Sequence, residues 1–119
     1  MGSEMVQRKS QRKQTVFYLE VVDVEIDQPT GRLVDLTAEG LMLIHEQPLA
    51  INRLYQLRIL LPKKLGGASQ VECTAECRWC RPSVNTDFFD AGLRIVDLSE
   101  EDAARIDMIM KYYSFGGAV

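Results

Sequence analysis

Residues Val71–Trp79 read VECTAECRW, and this stretch has the most regular alternation in the chain. Apolar side chains and cysteines occupy every second position, and polar or charged side chains lie between them. A period of two is the spacing of side chains on one face of a β-strand. We therefore predict a strand that is half in water and whose buried face holds Val71, Cys73, Ala75, Cys77 and Trp79.

The sequence on either side contains further strand patterns separated by turn signals. Strands are predicted at residues 16–24, 32–37, 41–44, 54–61 and 91–96, where β-branched, aromatic and other apolar residues dominate. Turns are predicted at Asp27–Gly31 and Asn85–Asp87, and Gly40 interrupts the chain between two strands. Six short strands with a turn roughly every ten residues indicate a small antiparallel barrel or sandwich.

The period changes after the last strand. Ser99 is placed to cap a helix, and Asp102 occupies the capping-box position three residues later. The apolar residues that follow are at helical spacing, so a helix is predicted over about residues 98–114. Its apolar face would be formed by Ile106, Ile109, Met110 and Tyr113. We expect this face to plug the open end of the barrel. Gly116 and Gly117 would end the helix. The aromatic residues Tyr112, Tyr113 and Phe115 would either seal the barrel or form a partner surface, and sealing is favoured.

The composition indicates one domain with an unusual charge distribution. The chain has 119 residues and a net charge of −3. Residues 1–14 carry four cationic side chains and one anionic one, a net +3, so the rest carries −6. We predict a flexible basic arm over residues 1–14 and a barrel with its helix over residues 15–119. The sequence contains no apolar run long enough to span a bilayer and no secretion signal, so a cytoplasmic location is expected.

Three cysteines, Cys73, Cys77 and Cys80, raise the alternatives of structural thiols and a metal site. An odd count without a secretion signal argues against disulfides. In a regular strand Cys73 and Cys77 would face one side and Cys80 the other, and the single histidine, His45, is distant in sequence. Structural thiols are favoured because zinc needs about four converging ligands. No metal site is predicted, and His45 is expected at the surface.

The basic arm contains the first motif, Arg8-x-x-x-Arg12, with Lys9 and Lys13 interleaved. The planar guanidinium of arginine donates in pairs to phosphate oxygens or to the O6/N7 edge of guanine, and it can stack on a base. An anion-binding segment is one interpretation. A solvated leader that aids solubility is the other, because charge-rich termini are often unstructured.

The second motif, Asp35-x-Thr37-x-x-Gly40, falls where one predicted strand ends and the next begins. A carboxylate accepts hydrogen bonds only, so Asp35 can pair with the N1 and N2 donors of guanine, and Thr37 adds a hydroxyl. Gly40 permits a tight turn or a close approach to a ligand. An ordinary hairpin, with Gly40 at positive φ, explains the same residues.

Together the two motifs resemble the signature of the PilZ family, which has the form RxxxR followed by D/N-x-S-x-x-G. Arg8, Arg12, Asp35 and Gly40 match it, and Thr37 replaces the usual serine while keeping the hydroxyl. The segments Cys77–Cys80 and Ala91–Ile95 are similar to late strands of the family. The resemblance covers roughly residues 8–115, and it implies a six-stranded antiparallel PilZ-type β-barrel with a C-terminal helix.

The resemblance also implies a function: binding of the second messenger cyclic di-GMP. Arg8 and Arg12 would contact the phosphates and a guanine, with added charge from Lys9 and Lys13. Asp35 and Thr37, at the turn ended by Gly40, would hold a guanine from the barrel side. The arm would become ordered over the ligand and signal to a downstream protein partner. No cofactor other than this ligand is implied.

Other classes of function fit the sequence less well. A PilZ-like module that binds only proteins is the main alternative, although such members of the family typically have eroded motifs. Binding of a nucleic acid polymer is disfavoured by the acidic body of the chain. Catalysis is disfavoured because no nucleophile and base are paired by spacing. Arg78 and Arg94 fall on polar phases of their strands, so they either border the site or face water. For Trp79 a core position is favoured over base stacking.

Overall fold

The computed structural model describes residues 19–65 and 67–113. The predicted basic arm, with Arg8, Lys9, Arg12 and Lys13, lies outside them. The described elements follow one another along the chain as six strands and one helix: β1 (Glu20–Asp23), β2 (Gln28–Leu36), β3 (Gly40–His45), β4 (Leu54–Leu65), β5 (Ala68–Pro82), β6 (Phe89–Asp97) and α1 (Glu100–Tyr113). The predicted element order is therefore confirmed within the described part of the chain.

The six strands form a closed antiparallel barrel in the order β1-β2-β3-β6-β5-β4. The short strand β1 closes it, because Val21 pairs with Gly31 of β2 on one side and with Ile59 of β4 on the other. The predicted alternation along β4 is confirmed, since Tyr55, Leu57, Ile59 and Leu61 are all buried. The inward phases of the strands thus form one apolar core, as the pleat of a half-buried strand requires.

One predicted turn is wrong. The turn joining β1 and β2 comprises residues 24–27, and Gln28–Gly31, which we predicted as part of a turn, belongs to β2. The register shifts here, because Val21 pairs with Gly31 while Val22 pairs with Pro29, which leaves Thr30 as an extra residue in β2. A bulge is one of the few places in a sheet that tolerates proline, which cannot donate a ladder hydrogen bond.

Helix α1 begins as predicted. The Asp102 backbone N–H donates to Ser99 Oγ at 3.0 Å, which is the expected cap. The Asp102 carboxylate accepts from Arg105 Nη1 at 2.8 Å and from the backbone N–H of Glu72 at 3.4 Å. Strand β6 ends at Asp97, which pairs with Thr74 of β5. Glu72 of β5 lies beyond this end of β6, and the Asp102 carboxylate supplies the acceptor for its N–H.

The helix packs against β4 and β5 with a narrower apolar face than the spacing predicted. Ile106 and Ile109 are fully buried and belong to the barrel core. Met110 is 40% exposed and Tyr112 is 71% exposed, so the expectation that they pack on the barrel is wrong. The Tyr113 side chain, Phe115, Gly116 and Gly117 lie outside the described residues. The strip of α1 that holds Ile106 and Ile109 packs on the barrel, and the side chains of Met110 and Tyr112 beside it are exposed to solvent. No helix in the described residues has the length and apolar character needed to cross a membrane.

The cysteines belong to the packing of the barrel. Cys73 and Cys77 are buried, and Cys80 is partly buried against the core. Burial, with a smaller effect from Asp102, raises the pKa of the Cys73 thiol to about 12. Burial, followed by the nearby Cys80, also raises the pKa of Cys77. Among residues 19–65 and 67–113, no cluster of three or more His, Cys, Asp or Glu side chains is arranged to hold a metal ion.

Candidate functional site

A pocket of about 430 Å³ lies on the outer surface of the barrel, over strands β2, β3, β5 and β6. Its centre is a row of residues paired directly across the sheet. Asp35 of β2 pairs with Met42 of β3, Met42 pairs with Gly92 of β6, and Gly92 pairs with Trp79 of β5. The pocket is within the size range of small-molecule sites. Its lining also includes Thr37, Glu39, Gly40, Leu41, Arg78, Leu93 and Arg94.

A β-bulge in β2 turns Asp35 toward this pocket. Leu33 pairs with Leu43 and Asp35 pairs with Met42, so Val34 is an extra residue with no partner position of its own. Leu33 and Leu36 are both buried, whereas a regular strand would place them on opposite faces. The bulge thereby puts Asp35 on the outer face. There its Oδ1 accepts a hydrogen bond from the Leu36 backbone N–H at 2.9 Å.

A second bulge, in β5, does the same for Trp79. Cys77 pairs with Leu93 and Trp79 pairs with Gly92, which makes Arg78 the extra residue. Our prediction that Trp79 lies on the buried face is therefore wrong, and its indole is half-buried in the pocket wall. The same shift turns Cys80 inward, where its Sγ accepts from the Leu49 backbone N–H at 3.4 Å. A bulge next to a site commonly redirects a side chain in this way.

The turn between β2 and β3 is stabilised by Thr37. The Thr37 hydroxyl oxygen accepts from the backbone N–H groups of Glu39 and Gly40, both at 3.2 Å, and the Thr37 N–H donates to the Gly40 carbonyl at 2.8 Å. The hydroxyl therefore serves the turn, as the hairpin interpretation of the motif expected. Thr37 also lines the pocket. Its position is therefore compatible with a role in the turn and with a role in ligand binding.

Gly40 is needed for space rather than for a left-handed conformation. Among the described glycines, Gly31 and Gly67 have positive φ values and Gly40 does not. A Cβ at Gly40 would lie 2.7 Å from the carbonyl oxygen of Leu93 on β6. Gly92 has a related role, because a Cβ there would collide with the indole ring of Trp79. Two glycines thus allow the backbone and the indole to approach closely in the pocket.

A sequence model of the PilZ domain matches residues 7–112. The chain belongs to the PilZ domain family. The matched range begins before Arg8 and includes both motifs that carried the resemblance. The family is one of cyclic di-GMP effectors, and its members are typically receptors rather than enzymes.

Two solved structures show that the fold is shared at low sequence identity. The Bacillus subtilis inhibitor of motility, MotI/DgrA, matches with a TM-score of 0.63 and 16% identity over 88% of this chain and 51% of that one. K. pneumonia MrkH in its apo state matches with a TM-score of 0.65 and 13% identity over 92% of this chain and 54% of that one. The chain therefore spans about half the length of each. A comparison with curated proteins gives no match.

Charge is balanced within the part of the PilZ pocket that the structure describes. Its acidic members are Asp35 and Glu39, and its basic members are Arg78 and Arg94. Arg78 Nη1 forms an ion pair with Glu76 Oε1 at 3.2 Å. The described wall therefore offers hydrogen-bonding groups and apolar surface without a net positive charge.

Three residues of this wall were missed or left undecided by the sequence analysis: Arg78, Trp79 and Arg94. The sequence indicated an outward position for the two arginines, since both are on polar phases of their strands. For Trp79 the alternation pointed to the wrong face, because the bulge at Arg78 is not visible in the period of β5. A further aromatic contact supports the position of Trp79, as the Arg81 guanidinium carbon lies 4.6 Å from its ring centroid.

We expect Gly92→Ala to displace the indole of Trp79 from the pocket while leaving the barrel folded. The added methyl group would occupy the space of the ring, and the half-buried side chain has room to move outward. Trp79 is the only tryptophan, so its fluorescence emission reports its environment directly. A shift of the emission maximum to longer wavelength, with an unchanged far-UV circular dichroism spectrum, is the expected result. An unchanged emission spectrum in a folded variant would show that the ring does not rest on Gly92.

Proposed function

We propose that this PilZ domain is a receptor that binds cyclic di-GMP in the pocket between β2, β3, β5 and β6, and that it passes the signal to a partner protein in the cytoplasm. The observation that carries the proposal is the convergence of the Asp35–Gly40 turn with Trp79 and Arg94 on one outer surface, in a chain of this family. The pocket joins acceptors for a base edge to an aromatic surface, and a guanine nucleotide needs both.

The barrel wall is suited to the base of the ligand. The Asp35 carboxylate offers acceptors for the N1 and N2 donors of guanine, and charge-assisted hydrogen bonds are stronger than neutral ones. The indole of Trp79 and the side chain of Met42 provide apolar surface beside it. Stacking of a base on an aromatic side chain contributes about 1–3 kcal/mol. The described wall would therefore select a purine with a donor edge.

The phosphates of the ligand require more positive charge than this balanced wall supplies. We assign that charge to Arg8 and Arg12, with help from Lys9 and Lys13. The path of the chain supports the assignment, because Glu20 pairs with Arg32 and the Leu33 N–H donates to the Leu19 carbonyl at 2.7 Å. The strands are antiparallel, so β1 begins beside the end of β2 that bears Asp35. Arg12 is seven positions before Leu19, a length of chain that can span roughly 23–25 Å.

Binding would become a signal through residues 1–14. Fixing a backbone residue costs about 1–2 kcal/mol, and contacts of Arg8 and Arg12 with the ligand would offset this cost. A partner protein that recognises the arm closed over the ligand would then distinguish the bound state from the free one. An order-disorder transition of a segment is a common switching device.

The test is a calorimetric titration with cyclic di-GMP of the wild type, Arg12→Ala and the matched control Arg53→Ala. Arg53 lies on a loop outside the pocket, where it pairs with Glu25. We expect micromolar or tighter binding by the wild type and the control, and loss of binding by Arg12→Ala, because a charged phosphate contact is removed. Binding should weaken as ionic strength rises.

Two further measurements make the titration specific. Cyclic di-AMP lacks the guanine donors for Asp35 and should bind far more weakly. Hydrogen exchange should show protection of residues 1–14 only with cyclic di-GMP present. A wild-type titration without heat, together with unchanged exchange, would contradict the proposal and favour a PilZ module that binds only proteins.

A further inference from the structure

Glu76 is placed between the two arginines of the described pocket. It forms the 3.2 Å ion pair with Arg78 of its own strand, and it pairs across the sheet with Arg94 of β6. Side chains directly opposite in an antiparallel pair are close enough to interact. The Glu76 side chain is 24% exposed and that of Arg78 is 53% exposed, so the carboxylate is the more enclosed partner. Both arginines line the pocket, whereas Glu76 is not among its lining residues.

We propose that Glu76 competes with the ligand for Arg78 and thereby lowers the affinity of the pocket for anionic nucleotides. The inference rests on the proposed function, since it concerns the phosphates of the same ligand. In the free protein the guanidinium of Arg78 donates a hydrogen bond to the carboxylate of Glu76. A phosphate that approaches the guanidinium must replace this contact or share it. Glu76 thus sets the affinity without touching the ligand.

The chemistry of the pair supports competition. The guanidinium fork matches carboxylate and phosphate oxygens with the same geometry, so one group can replace the other. Partly exposed ion pairs are weak, so replacing the Glu76 carboxylate by a phosphate at Arg78 costs little free energy. Removal of the charge should therefore tighten binding about two- to fivefold.

The chain contains a matched control pair on the same strand. Glu72 of β5 forms an ion pair with Arg58 of β4 at 3.0 Å, with side-chain exposures of 49% and 30%. Neither residue lines the pocket. Glu72→Gln therefore removes the same charge, from a comparable surface pair on the same strand, without freeing an arginine of the site.

The experiment is a double-mutant cycle on Glu76→Gln and Arg78→Ala, with cyclic di-GMP as the probe and calorimetry as the measurement. We expect Glu76→Gln to lower Kd about two- to fivefold, Glu72→Gln to leave it unchanged, and Arg78→Ala to raise it. In the Arg78→Ala background, Glu76→Gln should give no gain. The gain in the single variant should shrink at high ionic strength, because screening weakens the competing ion pair.

The remaining outcomes separate this inference from the proposed function. Binding by the wild type with an unchanged or raised Kd in Glu76→Gln would overturn competition by Glu76 and leave the receptor function intact. A gain that persists in the Arg78→Ala background would show general charge repulsion rather than competition for Arg78. Absence of binding by the wild type and by Glu76→Gln alike would overturn both. Thermal unfolding of each variant verifies that the isosteric glutamine keeps the barrel folded.

Discussion

Asp35→Ala is expected to weaken cyclic di-GMP binding by roughly 10- to 150-fold, the equivalent of about 1.5–3 kcal/mol for hydrogen bonds to a charged group. The bulge at Val34 places this carboxylate on the pocket face of β2, where we propose that it accepts from the guanine edge. The alanine variant leaves those guanine donors without partners. Calorimetric titration of the variant beside the wild type measures the loss.

Two controls separate recognition of the base from folding of the turn. Asp35→Asn keeps one acceptor oxygen of the same size, and the family signature admits asparagine here, so it should retain most of the affinity. Asp87→Ala removes an exposed carboxylate from the loop between β5 and β6 and should have no effect. Because Asp35 also accepts from the Leu36 N–H, thermal unfolding must be measured for each variant. Equal affinity of Asp35→Ala and the wild type would contradict the assigned role.

Ile106→Ala should cause the largest loss of stability among the substitutions considered, about 2–5 kcal/mol in the free energy of unfolding. The Ile106 side chain is fully buried where α1 covers the barrel, in the same core as the inward residues of β4 and β5. Truncation leaves a cavity and removes part of the contact that holds the helix. For a domain of this size the melting temperature should fall by about 10–30 °C.

Met110→Ala is the matched control on the same helix. Met110 is 40% exposed, so its truncation should change the free energy of unfolding by less than about 1 kcal/mol. Both variants are measured by urea unfolding with the circular dichroism signal of the barrel. Similar losses for the two variants would mean that the helix does not close the core through Ile106.

Much of the barrel could be predicted from local patterns. The alternation in β4 and in most of β5 identified their buried faces, because each side chain of a regular strand points opposite to its neighbours. Ser99 was identified as the cap of α1 from its position before an acidic turn and an apolar periodicity. The second motif was found in sequence before it was seen in space, and the structure places Asp35, Thr37 and Gly40 together at the pocket. The roles of Arg8 and Arg12 remain predictions.

Two of the errors have a common origin in irregular strand pairing. The turn after β1 was placed too late because Pro29 and Gly31 were interpreted as turn residues, whereas a bulge lets them continue β2. The outward position of Trp79 was missed for the same reason. Gly40 was interpreted as permitting a tight turn, a close approach to a ligand or a positive φ, but its φ is not positive and its constraint is the Leu93 carbonyl of a strand about fifty residues away. None of these features changes the local period of the sequence.

By itself, the sequence determined the order of strands and helix, the residues available for the core, and the two motifs that identify the family. Tertiary structure alone decided which side chains share the pocket. A bulge sets two residues of one strand against one residue of its neighbour, so the face that each later residue occupies depends on pairing with a distant strand. The period-two pattern of β5 continues through Arg78 to Trp79, and only the register with β6 turns Trp79 outward, beside Asp35 and Arg94.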